Sequence, residues 1–166
     1  MKFLLLLIIY FAMSSNSCSQ DYLDPKEVTH RPALVSGSFY PENPDTLRSM
    51  IEKFLDSPEP TIETPDVFGI VVPHAGYVYS GWIAGKAYKQ VAGKKYDAIV
   101  VIGPSHQKAF KGSSVFNGQA YTTPLGIARV DETLAVAIAK AGDGVNLSLN
   151  GHSWDDPAGE HSIEVQ

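Results

Sequence analysis

The chain has 166 residues, of which 44% are hydrophobic and 19% charged, a composition typical of one globular domain rather than a disordered chain. Its formal net charge is −5, and its lysines are scattered along the sequence. The basic stripe of a phosphate-backbone binder is therefore missing, and nucleic acid is not an expected partner. The single cysteine, Cys18, excludes an intramolecular disulfide and a cysteine-ligated zinc site within these residues.

The amino-terminal segment, residues 1–18, has the parts of a secretory signal. A charged start precedes an apolar run over residues 3–13, and small polar residues lead to Cys18. The run is shorter than the about 20 residues that a spanning helix needs. We therefore expect a removable signal peptide, either of simple secretory type or of the bacterial lipoprotein type, in which Cys18 receives lipid. Residues 19–30 predict a polar tether, and the protein is expected to be exported: periplasmic, secreted or lipid-anchored to a membrane.

The predicted domain covers residues 31–166. Asn43 is typical of a helix N-cap and Pro44 of a first helical position, so they predict a helix that stops at residues 57–58. Its apolar residues recur at the spacing of one buried helical face. This face is Leu47, Met50, Ile51, Phe54 and Leu55.

Two continuous apolar runs, 68–72 and 98–102, predict strands buried on both faces. Between them, Ser80 is predicted to cap a helix that reaches about Ala92. The order strand, helix, strand predicts a parallel βαβ unit, whose strands end at the edge where open α/β sheets bind ligands. The inward face of the helix is predicted to be Ile83, Ala84, Ala87, Tyr88 and Val91.

The remaining residues predict further short elements. Residues 113–130 mix β-formers with turn residues and predict short strands. Asp131 is predicted to cap a helix through about Ala141, followed by a glycine-rich loop, and 161–166 begin a strand-like alternation. A sheet with so few strands would have unpaired edges, so we expect the domain to be incomplete at its carboxyl end. The inward face of the last helix is predicted to be Leu134, Ala137, Ile138 and Ala141.

Two histidines directly follow the predicted strands. His74 and His106 both stand on loops constrained by proline and glycine, and Glu160 precedes a third imidazole, His161. Neutral imidazoles joined by a carboxylate suit zinc, iron or copper. The alternative for each is a hydrogen-bonded loop residue that shapes a turn. Two further histidines are expected to be structural in this way: His30 and His152.

A different chemistry is offered by Ser105 beside His106. With Asp155 or Asp156 available, these residues suggest a Ser-His-Asp hydrolase. The nucleophile-elbow motif G-x-S-x-G is absent, so this hypothesis ranks below the metal site.

Five segments resemble, in order, the Memo family, also called the AmmeMemoRadiSam system protein B family. The resemblance covers residue 31 to the end, whereas family members usually continue for about as much sequence again, so only their amino-terminal part is matched. The segments are RPALVSGSFYP at 31–41, PHAGY at 73–77 with SG at 80–81, GPSH at 103–106, TPLG at 123–126 and EHSIE at 160–164.

This resemblance implies the fold of the class III extradiol dioxygenases, an α/β/α sandwich with a mostly parallel central sheet. By resemblance, His74 and His106 would bind iron (Fe2+) or copper. Glu160 and His161 would lie in or near the same cleft, and we expect them to be the catalytic groups. The family's third ligand is a cysteine later in its chains, and no cysteine follows Cys18 here.

The leading functional hypothesis is a metal-binding redox or dioxygenase-like domain that acts on an unknown small molecule or peptide. The first alternative is a non-catalytic module that binds a peptide or an anion in the same cleft, and the second is the serine hydrolase. Bacterial members of the family often accompany a radical SAM protein. An export signal argues against such a cytosolic partner for this chain.

Overall fold

The structure is a computed structural model that describes residues 29–56, 67–153 and 159–166. The predicted signal peptide with Cys18, and the predicted tether as far as residue 28, lie outside the described residues. His30, the last residue of that tether, belongs to strand β1 (His30–Arg31). None of the helices among the described residues is long and apolar enough to cross a membrane.

Helix α1 (Pro44–Leu55) forms where the sequence predicts it. The Asn43 side-chain oxygen accepts hydrogen bonds from the backbone N–H groups of Asp45 and Thr46 at 3.1 and 3.0 Å. These bonds satisfy donors that the first helical turn leaves without partners. Leu47 is buried and the other residues of the apolar stripe are half-buried, so the helical periodicity identified the packed face correctly.

Helix α2 (Tyr77–Lys89) begins before Ser80, so the prediction that Ser80 caps this helix is wrong. Gly76 is the N-cap, and Ser80 lies inside the helix, where its hydroxyl donates to the Ala75 carbonyl at 2.9 Å. The serine side chain bonds backward to the preceding loop instead of to the amides of a first turn. It therefore holds the loop that enters the helix.

The face of α2 that packs on α1 is formed by small residues. Ile83, which the periodicity predicts to point inward, is 56% exposed, whereas Gly81 and Gly85 are buried. A Cβ added at Gly85 would lie 2.6 Å from the Phe54 Cβ, closer than two carbon atoms can pack. The glycines that weaken the helical pattern are thus the residues that let the two helices approach. The other residues predicted on the inward face are half-buried: Ala84, Ala87, Tyr88 and Val91.

The strands form two small sheets. In the first, β1 is parallel to β3 (Ala120–Thr123), which is antiparallel to β4 (Gly126–Arg129). In the second, β2 (Ser113–Phe116) is parallel to β5 (Val145–Ser148). The prediction of short strands over 113–130 is confirmed. Strand β5 lies in a segment that its flanking glycines predict as a loop, so pairing with β2 overrides the local turn signal.

Helix α3 (Glu132–Ala141) confirms the predicted cap, because the Asp131 carboxylate accepts from the Leu134 N–H at 2.9 Å. The helix packs against β2 and β5 with Ala135 buried. Its predicted inward face is partly wrong, since the contact lies to one side of the predicted stripe. Two residues of that stripe are exposed: Ala137 and Ala141.

The predicted strands at 68–72 and 98–102 do not form in the structure. Phe68 and Val71 are 99% and 100% exposed, and Ile102 is 88% exposed. The reason is a lack of partners, because no strand in the described part of the chain pairs with either segment. Buried strands need neighbours for their backbone groups and covering layers for their side chains. The predicted parallel βαβ unit is therefore absent from the described residues.

The carboxyl-terminal segment also differs from its prediction. Residues 161–166 form turns rather than a strand, with the Val165 N–H donating to the His161 carbonyl at 3.1 Å. The turns place Val165 in the main apolar cluster. Burial of this side chain favours the turns over the predicted extended strand. Together these elements establish a mixed α/β fold. The apolar cluster comprises Val35, Tyr40, Leu47 and Val165, with Phe39, Ile51 and Tyr77 packed against it.

A buried ion pair joins β1 to the carboxyl-terminal residues 160–166, which we call the terminal turn. The Arg31 side chain donates from Nη1 to Glu164 Oε2 at 2.6 Å, and both side chains are 1% exposed. Glu164 Oε1 accepts from the Val35 N–H and the Tyr40 hydroxyl, each at 2.8 Å. Removing charges from water is costly, but here both carboxylate oxygens have donors, which offsets the lost hydration. The ion pair therefore fixes the turn against the apolar cluster.

We expect the substitution Arg31→Ala to lower the free energy of unfolding by about 3–5 kcal/mol, because Glu164 would stay buried without its counter-ion. Chemical denaturation followed by circular dichroism measures this change. The control is Arg48→Ala, since Arg48 lies exposed on α1 and its loss should cost less than about 0.5 kcal/mol. Equal stability of the two variants would contradict a structural role for the ion pair.

Candidate metal centre

Three histidines lie together in the structure. His74 follows the 68–72 segment, His106 follows the 98–102 segment, and His161 lies in the terminal turn. One possible ligand nitrogen from each residue lies within 4.8 Å of the other two. Imidazoles that converge from three separate loops form a donor set suited to zinc, iron or copper. We call these three residues the histidine cluster.

The rings of the histidine cluster are arranged as a stacked pair with a third ring beside it. The centroids of His106 and His161 are 4.3 Å apart and their planes differ by 22°. The His74 centroid lies 5.2 Å from that of His106 and 6.0 Å from that of His161. His74 and His161 are half-buried and His106 is exposed, so the cluster is open to a small ligand.

The His74 loop is held by contacts to the backbone on its carboxyl side. The Tyr77 N–H, at the start of α2, donates to the Phe39 carbonyl at 2.7 Å. The hydroxyl of Ser80 donates to the Ala75 carbonyl, which lies directly after His74. The first turn of α2 and the Phe39 segment therefore set the path of the chain directly after His74.

The terminal turn holds the His106 loop. The Ser162 hydroxyl donates to the Pro104 carbonyl at 2.7 Å. Gly103 packs so closely on this serine that an added Cβ would lie 2.7 Å from Ser162 Oγ. A glycine is therefore required at this position by the close approach of the two segments.

Glu160 is the buried carboxylate of the site. Its Oε1 lies 3.0 Å from His106 Nδ1 and accepts from the backbone N–H groups of His161 and Ser162 at 2.9 and 3.0 Å. Its Oε2 accepts from the N–H groups of His106 and Gln107. Burial by itself raises the pKa of Glu160, but hydrogen bonds from the His106 ring and from backbone N–H groups outweigh burial and lower the pKa to about 2. The carboxylate is therefore ionised and acts only as an acceptor near neutral pH.

The His161 ring lies between two other rings. It stacks on His106, and its centroid is 4.6 Å from that of Phe39. Burial lowers the pKa of His161, and the neighbouring His106 lowers it further, while Glu160 opposes the change. Near pH 7 the neutral imidazole predominates, with a lone pair available for a metal ion or a proton.

The two other histidines lie outside the cluster, as expected. His152 is buried, with Nε2 bonded to the Ser114 carbonyl at 3.0 Å and Nδ1 bonded to the Tyr121 hydroxyl at 2.6 Å. A carbonyl only accepts, so Nε2 carries the proton and Nδ1 accepts from the tyrosine. Burial lowers the pKa of His152. His30 is exposed in β1.

Ser105 does not engage His106 in the way that a serine hydrolase requires. Its hydroxyl donates to the Lys108 carbonyl at 2.7 Å, while His106 Nδ1 is bonded to Glu160. The proposed acidic partners lie outside the described residues: Asp155 and Asp156. The described geometry therefore gives the hydrolase hypothesis no support.

Two residues near the cluster are not identified by sequence reasoning. Ser162 anchors Pro104, and the Phe39 ring packs on His161. Neither residue type suggests a role at a metal site. Their positions within the segments 31–41 and 160–164, which resemble the Memo family, are the only signal that points to them.

We expect His152 to remain neutral below pH 6.5, its ordinary pKa, because burial disfavours the imidazolium form. Its folded-state pKa is lower than its unfolded-state value, so its contribution to stability is lost as the pH falls below about 6.5. Ring nitrogen NMR during a pH titration measures both its protonation and its tautomer. Replacing His152 by Gln should remove this part of the pH dependence of stability. A His152 ring that becomes protonated at or above pH 6.5 would contradict the assignment.

Comparison with known proteins places these residues in a family. The model of the Memo-like protein family matches residues 31–166. A MEMO1 family protein from Nitrosopumilus maritimus is 33% identical over 140 residues, which cover 82% of this chain and 49% of the relative. One from Methanopyrus kandleri is 35% identical over 144 residues, with shares of 82% and 49%. One from Methanosarcina barkeri is 38% identical over 136 residues, with shares of 82% and 47%.

The chain spans about half the length of the curated relatives it matches. Those relatives are archaeal and do not support a bacterial source for this chain. The matched region includes His74, His106 and His161 together with Glu160. From the family-model match over residues 31–166, this chain belongs to the Memo-like protein family.

Proposed function

We propose that this chain carries a metal-binding redox or dioxygenase-like domain that uses Fe2+ or copper, with His74 and His106 as ligands. The observation that carries the proposal is the histidine cluster, whose ligand nitrogens lie within 4.8 Å of one another. Family membership adds support, because the Memo family is related to metal-using dioxygenases. We also propose for the whole domain the α/β/α sandwich with a mostly parallel sheet found in class III extradiol dioxygenases.

The donor set fits such an ion. Imidazole nitrogens bind zinc at about 2.0–2.1 Å, and this distance serves as a guide for other first-row metals. Two ligand nitrogens on opposite sides of one ion are therefore at most about 4.2 Å apart. The upper distance of 4.8 Å in the cluster exceeds this limit, so the rings would move at least about 0.6 Å closer to share one ion. Both oxygens of Glu160 already accept hydrogen bonds from the protein. The site therefore offers imidazole nitrogens to an ion, rather than an oxygen of Glu160.

We propose that His161 is the general acid or base of the site. Its ring stacks on His106, and its lowered pKa keeps it neutral near pH 7, ready to accept a proton from bound water or substrate. Glu160, predicted as its catalytic partner, accepts a hydrogen bond from the backbone N–H of His161 at 2.9 Å. A bound metal would supply Lewis acidity or a redox couple.

Further proposals rest on the sequence. We propose that the protein is exported by the signal peptide over residues 1–18, with lipid attached at Cys18 if the signal is of lipoprotein type. The proposed substrate is a small molecule or a peptide. A cytosolic radical SAM partner does not fit an exported protein.

The non-catalytic module that binds a peptide or an anion is the second proposal, and it uses the same cleft. No contact in the described part of the chain favours it over metal binding. Its distinguishing property is saturable peptide binding that persists in a chelator.

The double variant His74→Ala/His106→Ala should abolish stoichiometric metal uptake, because two of the three converging nitrogens are lost. Far-UV circular dichroism should stay unchanged, since neither histidine lies in a helix or strand. Metal content is measured by mass spectrometry on protein purified without chelator or affinity-tag histidines, then reloaded anaerobically with Fe2+ or with copper.

The matched control for this test is His30→Ala, which removes an exposed histidine outside the cluster. Full metal uptake by the double variant would overturn the ligand assignment. A wild-type protein that binds neither metal would favour the peptide- or anion-binding module. His161→Ala separates the two possible roles of that residue, because metal is retained if His161 transfers protons and lost if it is a third ligand.

A further inference from the structure

We propose that Glu160 is a positioning residue whose carboxylate holds the His106 imidazole with Nδ1 protonated, leaving Nε2 as the nitrogen that binds a metal. This inference rests on the proposed function, because it specifies how one proposed ligand is oriented. Its main support is the contact between Glu160 Oε1 and His106 Nδ1 at 3.0 Å.

The direction of this hydrogen bond follows from the chemistry of its two partners. Both oxygens of Glu160 already accept hydrogen bonds from backbone N–H groups, so the carboxylate acts as an acceptor and the ring nitrogen that contacts it is the donor. A neutral imidazole carries one proton, and with that proton on Nδ1 the lone pair is on Nε2. Metal-binding histidines commonly donate their other ring N–H to a carboxylate, which fixes the tautomer and the ring orientation.

The carboxylate is itself rigidly held. The Glu160 side chain is 4% exposed, whereas that of His106 is 36% exposed. The oxygens of the Glu160 carboxylate accept hydrogen bonds from four backbone N–H groups. Two belong to the His106 loop, those of His106 and Gln107, and two belong to the terminal turn, those of His161 and Ser162. Glu160 therefore joins the His106 loop to the segment that carries His161.

A second link between the same two segments provides a matched control. The Ser162 hydroxyl bonds the Pro104 carbonyl at 2.7 Å. This bond also tethers the His106 loop to the terminal turn, but it does not involve the imidazole ring. Comparison of Glu160→Gln with Ser162→Ala therefore separates orientation of the ring from tethering of the loop.

The first measurement is ring nitrogen NMR of the metal-free wild-type protein, with His106 assigned by its absence from His106→Ala. We expect the neutral His106 ring to be mainly the Nδ1–H tautomer. In Glu160→Gln the preference for this tautomer should be lost, because the neutral amide is a weaker acceptor. In Ser162→Ala it should be retained.

The second measurement is titration with Co2+, followed by its visible absorption, for the same three proteins. Loss of an outer-shell partner of a metal-binding histidine typically weakens affinity roughly 10–100-fold, and we expect that loss for Glu160→Gln. Ser162→Ala should weaken Co2+ binding less than Glu160→Gln does.

An Nε2–H tautomer of His106 in the wild-type protein would overturn the inference. This result needs no variant, so the inference can be tested even if Glu160→Gln does not fold. An unchanged tautomer in folded Glu160→Gln would also overturn it. If His106 is Nδ1–H in the wild type but no Co2+, Fe2+ or copper binds, the proposed function fails while the positioning of the ring by Glu160 stands. If metal binds and the tautomer is wrong, only the positioning role fails.

Discussion

The arrangement of the site depends on the burial of Arg31. Its Nε donates to the His152 carbonyl at 3.1 Å, its Nη1 donates to Glu164, and its Nη2 donates to the Glu160 carbonyl. The guanidinium carbon also lies 5.0 Å from the centre of the Tyr121 ring. A planar cation with donors on three nitrogens can bond three acceptors in fixed directions, which a lysine ammonium cannot do in the same geometry. One side chain from β1 thus ties the short 3-10 helix at 150–152 to the terminal turn.

The terminal turn carries two buried carboxylates that are stabilised in different ways. Glu164 is paired with the Arg31 guanidinium, which largely cancels its charge, and this ion pair stabilises the fold. The Glu160 carboxylate accepts from backbone N–H dipoles and from an imidazole, partners that stabilise the charge without cancelling it. Its negative field therefore remains beside the histidine cluster, where it favours a bound cation. Because both residues belong to one turn anchored by Arg31, the electrostatics of the site are coupled to the stability of the fold.

Local rules predicted the parts of the fold that depend on near neighbours. The Asn43 and Asp131 caps and the helices that follow them form as expected, because capping bonds and amphipathic spacing are written into a few consecutive residues. The sequence was less informative about features that are determined by packing between distant segments. The start of α2, strand β5 and the exposure of the 68–72 and 98–102 runs all depend on partners far away in the chain. The sequence identified His74, His106 and His161, but not the hydrogen bond between Glu160 and the His106 ring, which joins residues 54 positions apart.

The histidine cluster is ordered by contacts that do not involve the apolar runs before His74 and His106. The 98–102 run is exposed, the 68–72 run is exposed at Phe68 and Val71, and no strand in the described part of the chain pairs with either. The His74 loop is nevertheless fixed on its far side by α2, and the His106 loop by the terminal turn. Burial of the two runs by strand pairing would add hydrophobic stabilisation and satisfy backbone groups. The three imidazoles are positioned instead by contacts of Phe39, Glu160 and Ser162, so two of the three groups that order the cluster belong to the terminal turn.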